Sequence, residues 1–209
     1  MDKIDSLDKI NAFVSDIRSL RKGYLTNFFL DRKKHSLWIE KGELFYVSFP
    51  DCYFLLHLTN SVNNLFFITT TSQQLAENLK AFLPIFAEQM VVDIVGDAKI
   101  VDLKDVFVEQ GFSVYEQLYR MNRIGTLEFK EIDTPNVCFA EDVDAQVVLD
   151  MLHSYFDPLS EQLPSYEEIL YFISRKSVLV YKEAGKVYGF VIFELNGQKI
   201  GRASCRERV

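Results

Sequence analysis

The stretch VLVYKEAGKVYGFVIFEL, residues 178–195, decides the fold. Two strongly apolar runs are joined by KEAGK, whose turn contains Gly185, so the stretch reads as an antiparallel hairpin. Just before it, PSYEE (164–168) places Ser165 and Glu168 as a capping box behind Pro164. Ile169, Leu170, Phe172 and Ile173 then form a buried helical stripe. Further upstream, the loop FDPLSEQLP (156–164) follows a second helix. Its Val147, Val148, Met151, Leu152 and Tyr155 share one face, and Asp142 or Asp144 caps it. IGTLEFKEIDTPN (124–136) loses periodicity and carries a Gly and a Pro, which suits a linker leading into an edge strand. A domain boundary is therefore expected near residue 127, and the unit beyond it runs strand, helix, helix, hairpin.

The unit before the boundary, residues 1–126, opens on an amphipathic helix over 5–21 with Leu7, Ile10, Phe13, Val14, Ile17 and Leu20 at helical spacing. Short aromatic and β-branched runs follow at 24–30, 37–39, 44–49, 53–58 and 65–70, separated by DRKKH, EKGE, FPDC and NSVNN. They read as an antiparallel meander. Thr71 and Gln74 then cap a helix with Leu75, Leu79, Phe82, Leu83 and Phe86 on one face, kinked or restarted at Pro84. A strand over 91–95, a helix over 103–109 closed by Gly111, and a strand over 112–121 complete the unit. The expected class is α+β, a mixed or antiparallel sheet with flanking helices.

Composition narrows the function. The 209 residues are 48% hydrophobic and 25% charged, with 18 Phe and 10 Tyr for a packed interior, which excludes disordered and disulfide-framed classes. A net charge of −7 disfavours a phosphate backbone as partner, so nucleic acid is not expected. Cys52, Cys138 and Cys205 are odd in number and scattered, which fits a reducing cytoplasm. No apolar run approaches the roughly 20 residues of a membrane span, so no membrane partner is expected. His35, His57 and His153 lack ligand spacing, so no metal is expected. His57, between Leu56 and Leu58, reads as a structural or sheet-surface imidazole. No G-x-S-x-G surrounds a serine and no G-x-G pair exists among the nine glycines, which disfavours simple hydrolases and common nucleotide folds. Glu141, Asp142 and Asp144 read as caps rather than paired catalytic carboxylates.

The C-terminus changes character. Residues 1–199 hold six Arg and the last nine residues hold three. IGRASCRERV (200–209) resembles the translation of a short-read sequencing adapter, so a non-native tail on an interrupted reading frame is expected, with a solvated basic tail as the alternative. Without it the chain would carry −9. An interruption there would also leave residues 187–195 as a bare apolar edge.

The order strand, helix, helix, hairpin, with apolar Val178 to Tyr181, turn residues Ala184, Gly185 and Lys186, and the strand Val187, Tyr188, Gly189, Phe190, Val191, resembles the opening half of the GNAT N-acetyltransferase fold. LKDVFVEQGFSVYEQLYRMNR (103–123) is similar to the helix, Gly-Phe and closing strand that end many GNAT domains. The matches cover about half of the chain. An ending placed before a beginning implies two tandem lobes, a degenerate one over 1–126 and the first half of a catalytic one over 127–199. The resemblance implies acetyl-CoA as cosubstrate, a small-molecule or peptide amine as acceptor, and attack of that amine on the thioester. It points to Tyr155, Phe156 and Asp157 as acceptor contacts, where Asp157 either pairs with a cationic substrate or builds a turn before Pro158. Glu194 is either a strand-end polarising group or a solvated carboxylate. No Q/R-x-x-G-x-G/A phosphate turn of the family lies within residues 1–199: TTTSQQ (69–74) stands at the first lobe's strand-to-helix junction, and the second lobe's turn would fall beyond Lys199. A different class remains open, a noncatalytic PAS-like sensor or a module that forms a homodimer through residues 1–125.

Overall fold

The computed structural model describes residues 1–86, 88–95, 100–117, 134–196 and 199–207. The class is α+β, and the chain divides into two units, Met1–Glu116 and Gln117–Val209. The boundary expected near residue 127 lies outside the described residues.

In the first unit, β1 (Asp2–Lys3), α1 (Leu7–Ser19), β2 (Leu25–Thr26), α2 (Arg32–Lys41), β3 (Leu44–Phe49), β4 (Cys52–Leu58), β5 (Asn63–Thr69), α3 (Ser72–Phe82) and α4 (Ile100–Glu109) follow in chain order. The sheet is antiparallel with strand order β1-β3-β4-β5-β2. Its central strands are buried on both faces. Leu55, Phe66 and Ile68 pack with Ile10, Phe13 and Ile17 of α1 and Trp38 of α2. Phe54, Leu56, Leu65 and Phe67 pack with Leu75, Leu79 and Phe82 of α3 and Phe107 of α4. Period-two alternation sends neighbouring side chains to opposite layers, so a strand covered on both sides reads as a continuous apolar run.

Several expected strands give way to other structure. Residues 37–39 lie in α2: the Asp31 carboxylate accepts from the backbone N–H of Lys33 and Lys34, both at 2.9 Å, and Gly42 ends the helix at φ 69. DRKKH is therefore a helix start, not a turn, because the cap satisfies two of the orphan N–H groups. Of residues 24–30 only Leu25–Thr26 is strand. Val91 makes a single parallel bridge with Asn64, and 112–117 are not strand, while 118–121 lie outside the described residues. α3 ends at Phe82, two residues short of Pro84, which has no N–H to continue the helical ladder although Leu83 before it keeps helical backbone (φ −56, ψ −37).

The second unit contains β6 (Val137–Phe139), a 3-10 turn (Asp142–Asp144), α5 (Ala145–Tyr155), α6 (Tyr166–Ser174), β7 (Val178–Glu183), β8 (Lys186–Asn196) and β9 (Lys199–Glu207). Its sheet is antiparallel in the order β6-β7-β8-β9. Ala145, Val148 and Leu152 of α5 and Ile169 and Ile173 of α6 cover Val178, Val180, Phe190 and Ile192. The expected hairpin is there, with Ala184 at φ 47 and Gly185 at φ 79 in its turn. The edge of β8 is not bare, because β9 pairs along it from Gly189 to Asn196.

β1-α1-α2-β3-β4-β5 and β6-α5-α6-β7-β8-β9 are the same succession of elements, with β2 inserted in the first. The agreement reaches individual hydrogen bonds. Glu43 N–H donates to Trp38 O and Gly42 N–H to Ile39 O; Ser177 N–H donates to Phe172 O and Lys176 N–H to Ile173 O, all at 2.9 Å. Leu58 N–H reaches Glu43 O as Phe193 N–H reaches Ser177 O, and Ile4 N–H reaches Leu44 O as Ala140 N–H reaches Val178 O. Gly42 and Lys176, at φ 69 and φ 54, occupy the same place.

Ala184 is a strained member of a turn that favours Asn-Gly. Ala184→Asn is expected to stabilise the second unit by about 0.5–1 kcal/mol, read as a higher urea midpoint by circular dichroism; an unchanged or lower midpoint contradicts it.

Candidate functional site

In the second unit the expected acceptor residues stand together where α5 gives way to the loop before α6. The helix ends at Tyr155 because Phe156 turns extended (φ −116, ψ 142) and Pro158 follows Asp157. Tyr155 and Phe156 are half-buried, and Phe156 packs against the core of this unit. Asp157 is exposed. Its Oδ1 accepts the Leu159 N–H at 2.9 Å, and its carbonyl accepts from Ser160 N–H at 3.1 Å and Glu161 N–H at 3.0 Å. The three residues therefore divide their work: Phe156 anchors the loop and Asp157 shapes it. His153 is exposed in the last turn of α5. Glu194 is on β8, in register with Arg202 of β9.

Two neighbouring acids act as caps. Glu168 Oε2 accepts the Ser165 N–H at 2.8 Å while Ser165 Oγ accepts the Glu168 N–H at 3.4 Å, the reciprocal arrangement expected from PSYEE. Asp144 is buried; its Oδ2 accepts the Glu141 N–H at 2.8 Å and pairs with Lys182 Nζ at 2.7 Å. That pair ties the turn before α5 to β7, and the hydrogen bond to Asp144 raises the Lys182 pKa above its usual 10.5.

The first unit holds a cluster that residue spacing did not bring together. His57 stacks on Trp38 with ring centroids 3.7 Å apart and planes 8° apart. His35 meets the same indole edge-on at 4.7 Å and stacks on Phe28 at 4.4 Å. Lys34 Nζ lies 4.9 Å from the Trp38 centroid. α2 carries His35 and Trp38 one turn apart, and β4 presents His57 to the face of the Trp38 indole. Burial pushes His57 down to about 3, with Lys34, His35 and Lys41 pushing the same way. Burial, aided by Lys34 and opposed by Asp31, holds His35 at about 4.

Both imidazoles are thus neutral near neutral pH, which fixes their protons. His57 Nε2 lies 3.3 Å from Glu43 Oε2 and must be the donor, since a carboxylate only accepts. The contact is a hydrogen bond from a neutral ring, not an ion pair, because desolvation and three nearby basic groups outweigh one half-exposed carboxylate. His35 Nδ1 accepts the Asp31 N–H at 3.0 Å and so carries its proton on Nε2. A base with a conjugate-acid pKa near 3 takes protons poorly at neutral pH. This agrees with a structural role for His57.

Among the described residues, no three His, Cys, Asp or Glu side chains gather as a metal site, and no helix is long and apolar enough to cross a membrane. Cys52 and Cys138 are free thiols; burial pushes Cys52 up to about 12, which makes it a poor nucleophile. No family model matches the chain, and no curated protein and no solved structure matches it.

Two outcomes follow from these groups. The unfolded histidines bind protons below about pH 6.5 while the folded ones stay neutral until about pH 4 and 3, so stability is full above 6.5 and falls as pH drops through this window. Trp38, the only tryptophan, reports unfolding of this unit, and His57→Phe should flatten the dependence between pH 6.5 and 4. An identical slope in wild type and variant contradicts the assignment. In the second unit, Lys182→Met leaves Asp144 buried without its cation and should cost about 1–3 kcal/mol at pH 7. Because the Lys182 pKa is raised, the wild-type advantage persists below its ordinary value and fades as pH climbs through the raised one. A loss that does not shrink at high pH counts against the pair.

Proposed function

We propose that this chain belongs to an N-acetyltransferase of GNAT-like type, which transfers acetyl from acetyl-CoA to an amine, with the acceptor side built by the second unit. The observation that carries the reading is the succession strand, helix, helix and antiparallel strands, present in both units with corresponding backbone hydrogen bonds. It supports the tandem arrangement that the sequence resemblance implies. Tyr155, Phe156 and Asp157 lie at the mouth of the α5–α6 loop. There the half-buried rings offer an apolar wall and the Asp157 carboxylate offers a partner for an ammonium group. Transfer proceeds by attack of the neutral amine on the thioester carbonyl, expulsion of the coenzyme thiolate and loss of the ammonium proton to a base.

Gln198, Gly201 and Ala203 fit the Q/R-x-x-G-x-G/A spacing, but Lys199–Glu207 is strand β9 and not a turn opening a helix, so backbone N–H groups at a helix start are not arranged there to receive the coenzyme phosphates closely. This chain is expected to bind acetyl-CoA weakly or not at all; micromolar binding by calorimetry contradicts that. The function itself is tested by coenzyme A thiol release from acetyl-CoA with a panel of amines, using the product of the native locus. Amine-dependent release supports acetyl transfer, and Asp157→Asn should raise KM for a cationic amine about tenfold with little change in kcat. Absence of acetyl-CoA binding together with dimerisation through residues 1–125 favours a noncatalytic interaction module.

A further inference from the structure

The outer edge of β5 is hydrogen-bonded throughout, but mostly not by a strand. Leu65 N–H donates to Val91 O at 2.9 Å, and Val91 N–H donates to Asn63 O at 2.8 Å. Beyond Leu65 the partner changes. Asn27 Nδ2 donates to Leu65 O at 3.2 Å and to Asp93 O at 3.1 Å, and Asn27 Oδ1 accepts the Phe67 N–H at 2.7 Å. Thr26 Oγ1 donates to Phe67 O, and β2 then pairs with β5 through Thr26↔Ile68 and Leu25↔Thr69. One side-chain carboxamide therefore serves as a peptide group, offering one acceptor and two donor bonds at the level where a neighbouring strand would place its own amide.

The segment that does this is held at two ends. Arg21 at φ 54 and Gly23 at φ 115 form a left-handed approach, and a Cβ on Gly23 would stand 2.7 Å from the Thr70 carbonyl oxygen. At the other end Phe28 is buried between His35 and Phe66, with ring centroids at 4.4 and 5.3 Å, while Phe29 is exposed. Between these ends only two residues are strand.

We propose that residues 25–28 are a strap occupying a strand-addition site on β5, and that this site takes an extended peptide carrying an aromatic side chain in the Phe28 position. The proposal does not rest on the acetyl-transfer reading. The main-chain edge supplies affinity, as in strand addition generally, and the Phe66–His35 slot supplies selectivity. The internal strap wins because its effective concentration exceeds that of any external chain. Asn27 is the latch, since its side chain joins β5 to both the strap and Asp93.

The test uses the full chain and the labelled peptide KGYLTNFFL, identical to residues 22–30. Anisotropy should show binding to Asn27→Ala at least about tenfold tighter than to wild type, and the peptide with its own Asn replaced by Ala should lose at least about tenfold. A folded Asn27→Ala chain that binds neither peptide, or both equally, overturns the proposal. Should that variant not fold, native-state hydrogen exchange on the wild type decides. The Phe67 amide, latched by Asn27, should exchange at least about tenfold faster than those of Phe66 and Ile68, which the strand alternation turns toward β4. Exchange of all three only through global unfolding overturns a separable strap.

Discussion

In each unit the second helix must hand the chain to an antiparallel hairpin within two or three residues, and one left-handed residue makes that possible. Gly42 does it after α2 and Lys176 after α6. The reversal lets that residue's own N–H and the next one return to the carbonyls of the last helical turn, which would otherwise be left without partners. It also fixes where β3 and β7 begin, and from that start the alternation of side chains assigns the residues that follow to a layer, in β7 as far as the register shift between Tyr181 and Lys182. Leu44 and Val178, the first residues of those strands, are both fully buried.

How much of this could be read from the chain depends on which physical signal each element carries. The second unit was legible because its signals agree: a Ser165/Glu168 box, a helical stripe, two apolar runs and a glycine turn all point to one arrangement. α2 was not, although Asp31 and Gly42 mark its ends, because its polar first turn and its single Trp38 give little periodicity to detect. The strap at 25–28 was invisible for a different reason. Asn27 acts through its side-chain amide, so no pattern of apolar residues announces it. Residues 112–117 are not strand, although their aromatic and β-branched content suggested one.

The same division holds for the candidate site. Asp157 before Pro158 announced a turn, and the turn is there. The Glu43–His57–Trp38–His35 arrangement was beyond the reach of spacing because it is assembled from α2, the residue after its cap, and a strand two elements later. Its two neutral rings are a product of burial rather than of neighbours in sequence, which is why an isolated His57 gave no hint of its partner. The tandem reading gains most from the two halves agreeing at the level of individual hydrogen bonds, since shared composition alone would not reproduce a left-handed residue in the same place.

That agreement is open to one direct measurement, the amide hydrogen exchange of Glu43, Leu58, Ser177 and Phe193 followed residue by residue in the intact chain. The account requires all four to be protected, with Ser177 and Phe193 behaving as a pair in their unit as Glu43 and Leu58 do in theirs. Free exchange of Ser177 and Phe193 beside protected Glu43 and Leu58 would contradict the claim that one architecture is built twice.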